Sequence, residues 1–127
     1  MGRPAARELT ERELELMHVF WQRGASTAAE VREQLAASGR DLAYTTVATL
    51  VRILGEKGFL EPTNTERPFL YRPVRDFDEV SRNMVGDLVE RVFHGSREQL
   101  LAHLVEEREL SPKERATLKA IFQEEAS

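Results

Sequence analysis

The chain has 127 residues, 18 Lys and Arg against 22 Asp and Glu for a net charge of −4, and no cysteine. That length suits one domain, or one compact head with a small association element, and the missing cysteine excludes disulfides, thiolate metal sites and a thiol nucleophile. No apolar run approaches the roughly 18 residues of a membrane span, and Met1 to Ala6 lack both a signal-peptide core and the hydroxyl residue that myristoylation requires, so the expectation is a cytoplasmic protein without membrane insertion.

The same device marks four helix starts: a hydroxyl residue that caps, with Glu or Gln three positions later. These are Thr10 with Glu13, Thr27 with Glu30, Ser96 with Gln99, and Ser111 with Glu114, the last followed by Pro112. Glycines that can end a helix in a left-handed conformation stand at Gly24, Gly39, Gly58 and Gly95. Together they predict helices over 10–23, 27–38, 44–57, 77–94, 96–108 and 111–126.

Along the first helix Leu14, Met17 and Trp21 share a face, with Trp21 as core anchor rather than a stacking platform for bases. Ala28, Val31 and Leu35 do the same on the second helix, and Val47, Leu50, Val51 and Leu54 on the third. Between Leu60 and Pro73 the helical period breaks. Phe69, Leu70 and Tyr71 favour strand, so the stretch predicts two strands joined by a loop at Asn64–Arg67, with Pro62 and Pro68 confining both strands to an edge.

The order helix, helix, helix, hairpin is that of a winged helix-turn-helix. Centring Val47 on the buried face and turning 100° per residue puts Thr45, Thr49, Arg52 and Glu56 outward, flanked by Thr46 and Ile53. Threonine can meet a thymine methyl or a base edge, and arginine can reach guanine or phosphate. Thr45 and Thr49 are therefore assigned to base reading, Thr46 and Arg52 to bases or backbone, and Arg40, Lys57, Arg67 and Arg72 to phosphates. Tyr44 has two readings, a hydroxyl donated to phosphate or a ring packed beneath the helix. Charge distribution agrees: residues 1–75 carry 11 Lys and Arg against 10 acids, and residues 76–127 carry 7 against 12. So small a positive excess predicts weak non-specific binding that fades with added salt.

Beyond Pro73 come acidic helices with apolar stripes: Phe77, Val80, Met84, Leu88 and Val92, then Leu100, Leu101, Leu104 and Val105, then Leu118, Ile121 and Phe122. Short helices beyond a complete head have too little chain to bury such faces alone. The expectation is a DNA-binding domain over 1–75 and a homodimerisation region over 76–127, in which Phe77, Val80, Met84, Leu88, Leu101, Leu104, Val105, Leu118, Ile121 and Phe122 meet a second copy. The alternative is that these helices fold back on the head.

An enzyme lacks its parts here. His18, His94 and His103 lie on separate segments without metal-ligand spacing, and no nucleophile elbow, phosphate loop or nucleotide turn is present. No cofactor and no metal are expected, although His94 and His103 with neighbouring carboxylates are the residues a metal would use. The rival function from another class is a winged helix that docks a protein, which low salt dependence would reveal.

The residues Leu9-Thr-x-Arg-Glu-Leu-Glu-x-Met17, Trp21 before Gly24, Ala43-Tyr-Thr-Thr-Val-Ala-Thr49, Leu54-x-x-Lys57-Gly58, Tyr71-Arg-Pro73 and Leu104-Val-Glu with Leu110-Ser111 resemble the penicillinase-repressor family of BlaI/MecI/CopY type. The resemblance implies a homodimeric repressor of inverted-repeat operators with TACA/TGTA half-sites. It also implies relief by cutting within the dimerisation region, often under a membrane-bound metalloprotease sensor. Three departures stand out: His103-Leu104 occupies the place of the family's Asn-Phe cleavage pair, the cysteine pairs of the copper-sensing branch are absent, and Ile53 stands where relatives often carry Arg.

Overall fold

The computed structural model describes residues 8–106 and 109–126. Residues 1–7 of the expected first domain and 107–108 at the expected end of the fifth helix lie outside the described residues. The elements in chain order are α1 (Glu11–Arg23), β1 (Ser26–Thr27), α2 (Ala28–Ala37), α3 (Tyr44–Glu56), β2 (Leu60–Pro62), β3 (Leu70–Pro73), α4 (Phe77–Phe93), α5 (Arg97–Glu106) and α6 (Pro112–Ala126). The chain divides into two compact units, Met1–Ser81 and Arg82–Ser127.

Local signals account for the helix ends. Complete capping boxes form at Thr10 with Glu13 and at Thr27 with Glu30. Ser111 and Glu114 exchange the same reciprocal bonds, and Ser96 Oγ accepts from the Gln99 N–H. Gly24, Gly39, Gly58 and Gly95 all have positive φ, between 84° and 92°, where a Cβ would be strained.

The first unit is a winged helix. Leu16, Met17 and Phe20 of α1, Val31 and Leu35 of α2, and Val47, Val51 and Leu54 of α3 converge on Phe59, Leu60 and Val80 in one core. The α1 stripe is rotated from the expected one. Leu16 and Phe20 sit at its centre beside Met17, while Leu14 and Trp21 lie at the margin, half-buried. Trp21 is still anchored, because its indole N–H donates to the Arg75 carbonyl at 2.9 Å.

The hairpin β2–β3 pairs Leu60 with Pro73, Glu61 with Arg72 and Pro62 with Tyr71, all antiparallel. A third strand was not expected: β1, two residues long, pairs Ser26 with Tyr71 and Thr27 with Leu70, giving the order β1-β3-β2. Thus β2, with Pro62, is an edge, whereas β3 is central and Pro68 precedes it. The asparagine of the loop closes it, since Asn64 Oδ1 accepts from the Leu70 N–H and its amide donates to the Pro68 carbonyl.

The first turns of α4 belong to this unit. Val80 is 5% exposed within the core, so it is a core residue and not the dimer contact its stripe suggested. Phe77 is half exposed, with its ring edge-on to Trp21 at 5.3 Å and tilted to His18 at 6.0 Å. In the second unit Val89 and Phe93 are buried, Phe93 packs on the His103 ring at 5.1 Å, and α5 buries no residue.

Candidate nucleic-acid interface

Helix α3 turns Val47, Val51 and Leu54 inward, and the helical period leaves Thr45, Thr46, Thr49, Arg52 and Glu56 exposed. This is the face expected from the sequence. Tyr44 is half exposed on the first turn, and Ile53 is intermediate. The N-cap is Ala43, which supplies no side-chain hydrogen bond, so the first N–H groups of α3 are left without the cap that α1 and α2 have. Arg32 Nε donates to the Leu42 carbonyl at 3.1 Å and ties the preceding turn to α2. The wing approaches from the other end, where a Cβ on Gly55 would sit 3.9 Å from the Tyr71 ring.

The four cations assigned to phosphate have different surroundings. Lys57 is turned inward: its ammonium donates to Glu13 Oε1 at 2.7 Å and to the Glu8 carbonyl at 2.8 Å, with the two side chains 15% and 4% exposed. Lys57 is therefore corrected from a phosphate ligand to the clasp between the end of α3 and the start of α1. Arg40 makes a two-pronged pair with Glu15 at 2.9 and 3.0 Å but is half exposed. Arg72 pairs with Glu61 across the hairpin, and Arg67 lies 5.7 Å from the centre of the Phe69 ring on the exposed loop. On α3 itself Arg52 holds both oxygens of Glu56 at 2.9 Å.

Sequence reasoning missed these carboxylates as partners, although two signals were present. Arg52 and Glu56 are four apart on one helix, and the hairpin register sets Glu61 opposite Arg72. Burial raises the Glu13 carboxyl, but the hydrogen bond from Lys57, the Thr10 N–H and the Lys57 charge together hold it below its ordinary value. The Thr27 N–H and hydroxyl lower Glu30 likewise, with Arg23 adding to the effect.

In the second unit the apolar residues Met84, Val85, Leu88 and Val92 of α4, Leu101, Leu104 and Val105 of α5, and Leu118, Ile121 and Phe122 of α6 are exposed. The His103–Leu104 bond lies within α5. Among the described residues no helix is long and apolar enough to cross a membrane, and no group of three or more His, Cys, Asp and Glu could hold a metal.

Comparison with known proteins places these features. The profile of the family described as Penicillinase repressor matches residues 9–124. The transcriptional regulator BlaI of Mycobacterium tuberculosis is 38% identical over 100 residues, covering 77% of this chain and 72% of its own. The methicillin resistance regulatory protein MecI of Staphylococcus aureus is 24% identical over 115 residues, 91% of this chain and 93% of its own. Among solved structures, the DNA binding domain of the repressor BlaI superposes with a TM-score of 0.51 at 26% identity, covering 61% of this chain and 93% of that domain. A chain in the complex structure of hsRosR-S1 shares the fold over 97% of this chain and 96% of its own, with a TM-score of 0.55 at 16% identity.

Proposed function

Since the chain belongs to the penicillinase-repressor family, we propose that it is a transcriptional repressor that binds an inverted-repeat operator as a homodimer, with α3 in the major groove and the β2–β3 wing along the backbone. The observation that carries this reading is the α3 face, where Thr45, Thr46, Thr49 and Arg52 are exposed and serve no core contact. A major groove about 12 Å wide admits such a helix, and its N-terminal residues lie nearest the base edges. Thr45 and Thr49 read bases, Thr46 and Arg52 take bases or backbone, and Tyr44 donates its hydroxyl to a phosphate, which its exposure permits. Arg40, Arg67 and Arg72 supply the remaining phosphate contacts, and the uncapped N–H groups of α3 add a further donor set.

Dimerisation is supported by the second unit, whose exposed side chains include apolar residues on three consecutive helices. A second copy covers them, with Met84, Leu88, Leu101, Leu104, Val105, Leu118, Ile121 and Phe122 as contacts. Two heads joined this way bind half-sites with an effective concentration that one head lacks. Proteolysis at or near His103–Leu104 would remove α6 and part of α5 with their apolar contacts, and so relieve repression by uncoupling the half-sites.

Fluorescence anisotropy on a TACA/TGTA inverted-repeat duplex and on a scrambled duplex, each at two salt concentrations, tests the reading. Salt-sensitive binding that prefers the repeat is the expected result. Salt-insensitive binding, or none to either duplex, would assign the head to a protein partner instead.

A further inference from the structure

Every arginine that the proposed DNA-binding reading places on α3 or on a strand of the wing is held by a carboxylate of the same element or its neighbour. Arg52 and Glu56 lie on the stripe that carries Thr45 and Thr49, at successive spacings of four, three and four, and the arginine grips both Glu56 oxygens at 2.9 Å. Arg72 is held by Glu61, its register partner in the hairpin. These pairs are open to solvent: Arg52 and Glu56 are 62% and 58% exposed, Arg72 and Glu61 60% and 43%. Neither pair contributes to the core, and exposed pairs of this kind add little to stability.

Their effect falls on the approaching polyanion. Binding to an arbitrary duplex draws its affinity from cations that neutralise phosphates. An arginine that brings its own carboxylate to the surface neutralises almost nothing, and the carboxylate stays near the phosphates if the pair opens. A correct operator offers Arg52 a base edge or a well-placed phosphate in addition, together with the threonine contacts, and these repay the opening. We propose that Glu56 and Glu61 set the strength of DNA binding, lowering affinity for operator and non-operator duplexes alike, by masking Arg52 and Arg72. This extends the repressor reading and rests on it. Discrimination then rests on the base contacts of α3, while the two carboxylates hold down the phosphate affinity of a chain whose net charge is −4.

The test compares the unsubstituted full chain with Glu56→Gln, Glu61→Gln and the double variant on the inverted-repeat and scrambled duplexes across a salt series. Glu11→Gln, an exposed acid in the first turn of α1, controls for net charge alone. Each Glu56 or Glu61 variant should tighten binding to both duplexes, by roughly 3–10-fold on the repeat and by no more than that on scrambled DNA, and steepen the logarithmic salt slope by up to about one. The ratio of the two affinities should hold or rise, and Glu11→Gln should change neither affinity by as much. Unchanged affinities in the Glu56 and Glu61 variants, a larger gain on scrambled DNA than on the repeat, or an equal effect of Glu11→Gln would overturn the masking role while leaving the repressor reading intact. Weaker operator binding by Glu56→Gln would also overturn it, showing that Glu56 orients Arg52 or accepts from a cytosine. Failure of the unsubstituted chain to bind either duplex would overturn both readings together.

Discussion

Replacing Lys57 by methionine tests how the head is held together. Methionine keeps most of the apolar stem, so the change is chiefly electrostatic. It removes an ammonium that lies 2.7 Å from Glu13 Oε1 and 2.8 Å from the Glu8 carbonyl. Glu13, with its side chain 4% exposed, keeps the hydrogen bond that the Thr10 N–H donates at 2.9 Å. Removing one partner of a buried ion pair costs about 3–5 kcal/mol. The retained Thr10 bond and the residual exposure of Lys57 put this case at the lower end, about 3 kcal/mol, which for a head of this size lowers Tm by roughly 12–24 °C.

The pH dependence separates this cause from lost packing. In the parent chain the Glu13 carboxyl titrates below its ordinary value of 4.5. A carboxyl depressed in the folded state contributes stability that is present above the unfolded value and lost as pH falls through the folded one. Without Lys57 its hydrogen bond and charge no longer lower the carboxyl while burial still raises it, so it titrates higher than in the parent and this contribution to stability shrinks. The stability gap between parent and variant is therefore widest at neutral pH and narrows toward about pH 4. Urea unfolding followed by circular dichroism at several pH values measures this, and Glu13→Gln added to Lys57→Met should restore part of the loss at neutral pH. A cost under about 1 kcal/mol that is flat with pH, joined to a DNA-binding salt slope smaller by about one, would refute the reasoning and return Lys57 to the phosphate contacts.

Thr49→Val and Thr45→Val should each erode discrimination between operator and scrambled DNA by about 1–3 kcal/mol per lost base contact, and equal losses on both duplexes would remove these residues from base reading. Arg52→Ala should weaken binding to every duplex, measurable by the same anisotropy titration. Leu104→Asp and Phe122→Asp, at positions 57% and 67% exposed, should convert a dimer to a monomer in sedimentation and lower operator affinity without changing the unfolding of the head. Gly55→Ala should stabilise the head by about 0.5–1 kcal/mol in thermal unfolding, because the added Cβ would meet only ordinary contacts, the Leu60 carbonyl at 3.8 Å and the Tyr71 ring at 3.9 Å.

What the sequence made legible was local. A hydroxyl cap and a glycine stop act over three or four residues, so the helix ends followed from Thr10, Thr27, Ser111 and the four glycines with errors of one residue or so. Period alone placed the α3 face, because Val47, Val51 and Leu54 leave little choice of rotation. The third strand was illegible for the opposite reason. Two residues carry no period, and Thr27 already had a visible task as N-cap, so only the arrival of Tyr71 and Leu70 from far along the chain makes Ser26–Thr27 a strand.

The two reassigned residues show where reading by residue type gives out. Lys57 follows a helix whose exposed face carries Arg52, and a lysine there looks like a phosphate ligand until its reach is known. Glu13 had a complete local explanation as the closing half of a capping box, yet its Oε1 accepts both the Thr10 N–H and the Lys57 ammonium. One carboxylate thus caps α1 and clasps α3, and nothing in either segment alone requires it. Val80 errs in the same sense: an apolar residue on an amphipathic helix is assigned to whatever that helix is thought to face, and α4 faces the head core at its first turns. Residues near the end of an element, as Glu13, Lys57 and Val80 all are, are therefore the ones whose partners a sequence conceals, since their contacts are decided by where the chain returns. The exposed pairs of Arg52 with Glu56 and Arg72 with Glu61 lie at the legible extreme, fixed by a spacing of four and by hairpin register. That is why a tuning of DNA affinity built on those pairs can be altered one carboxylate at a time, while the Glu13–Lys57 clasp cannot be altered without loosening the fold that presents α3.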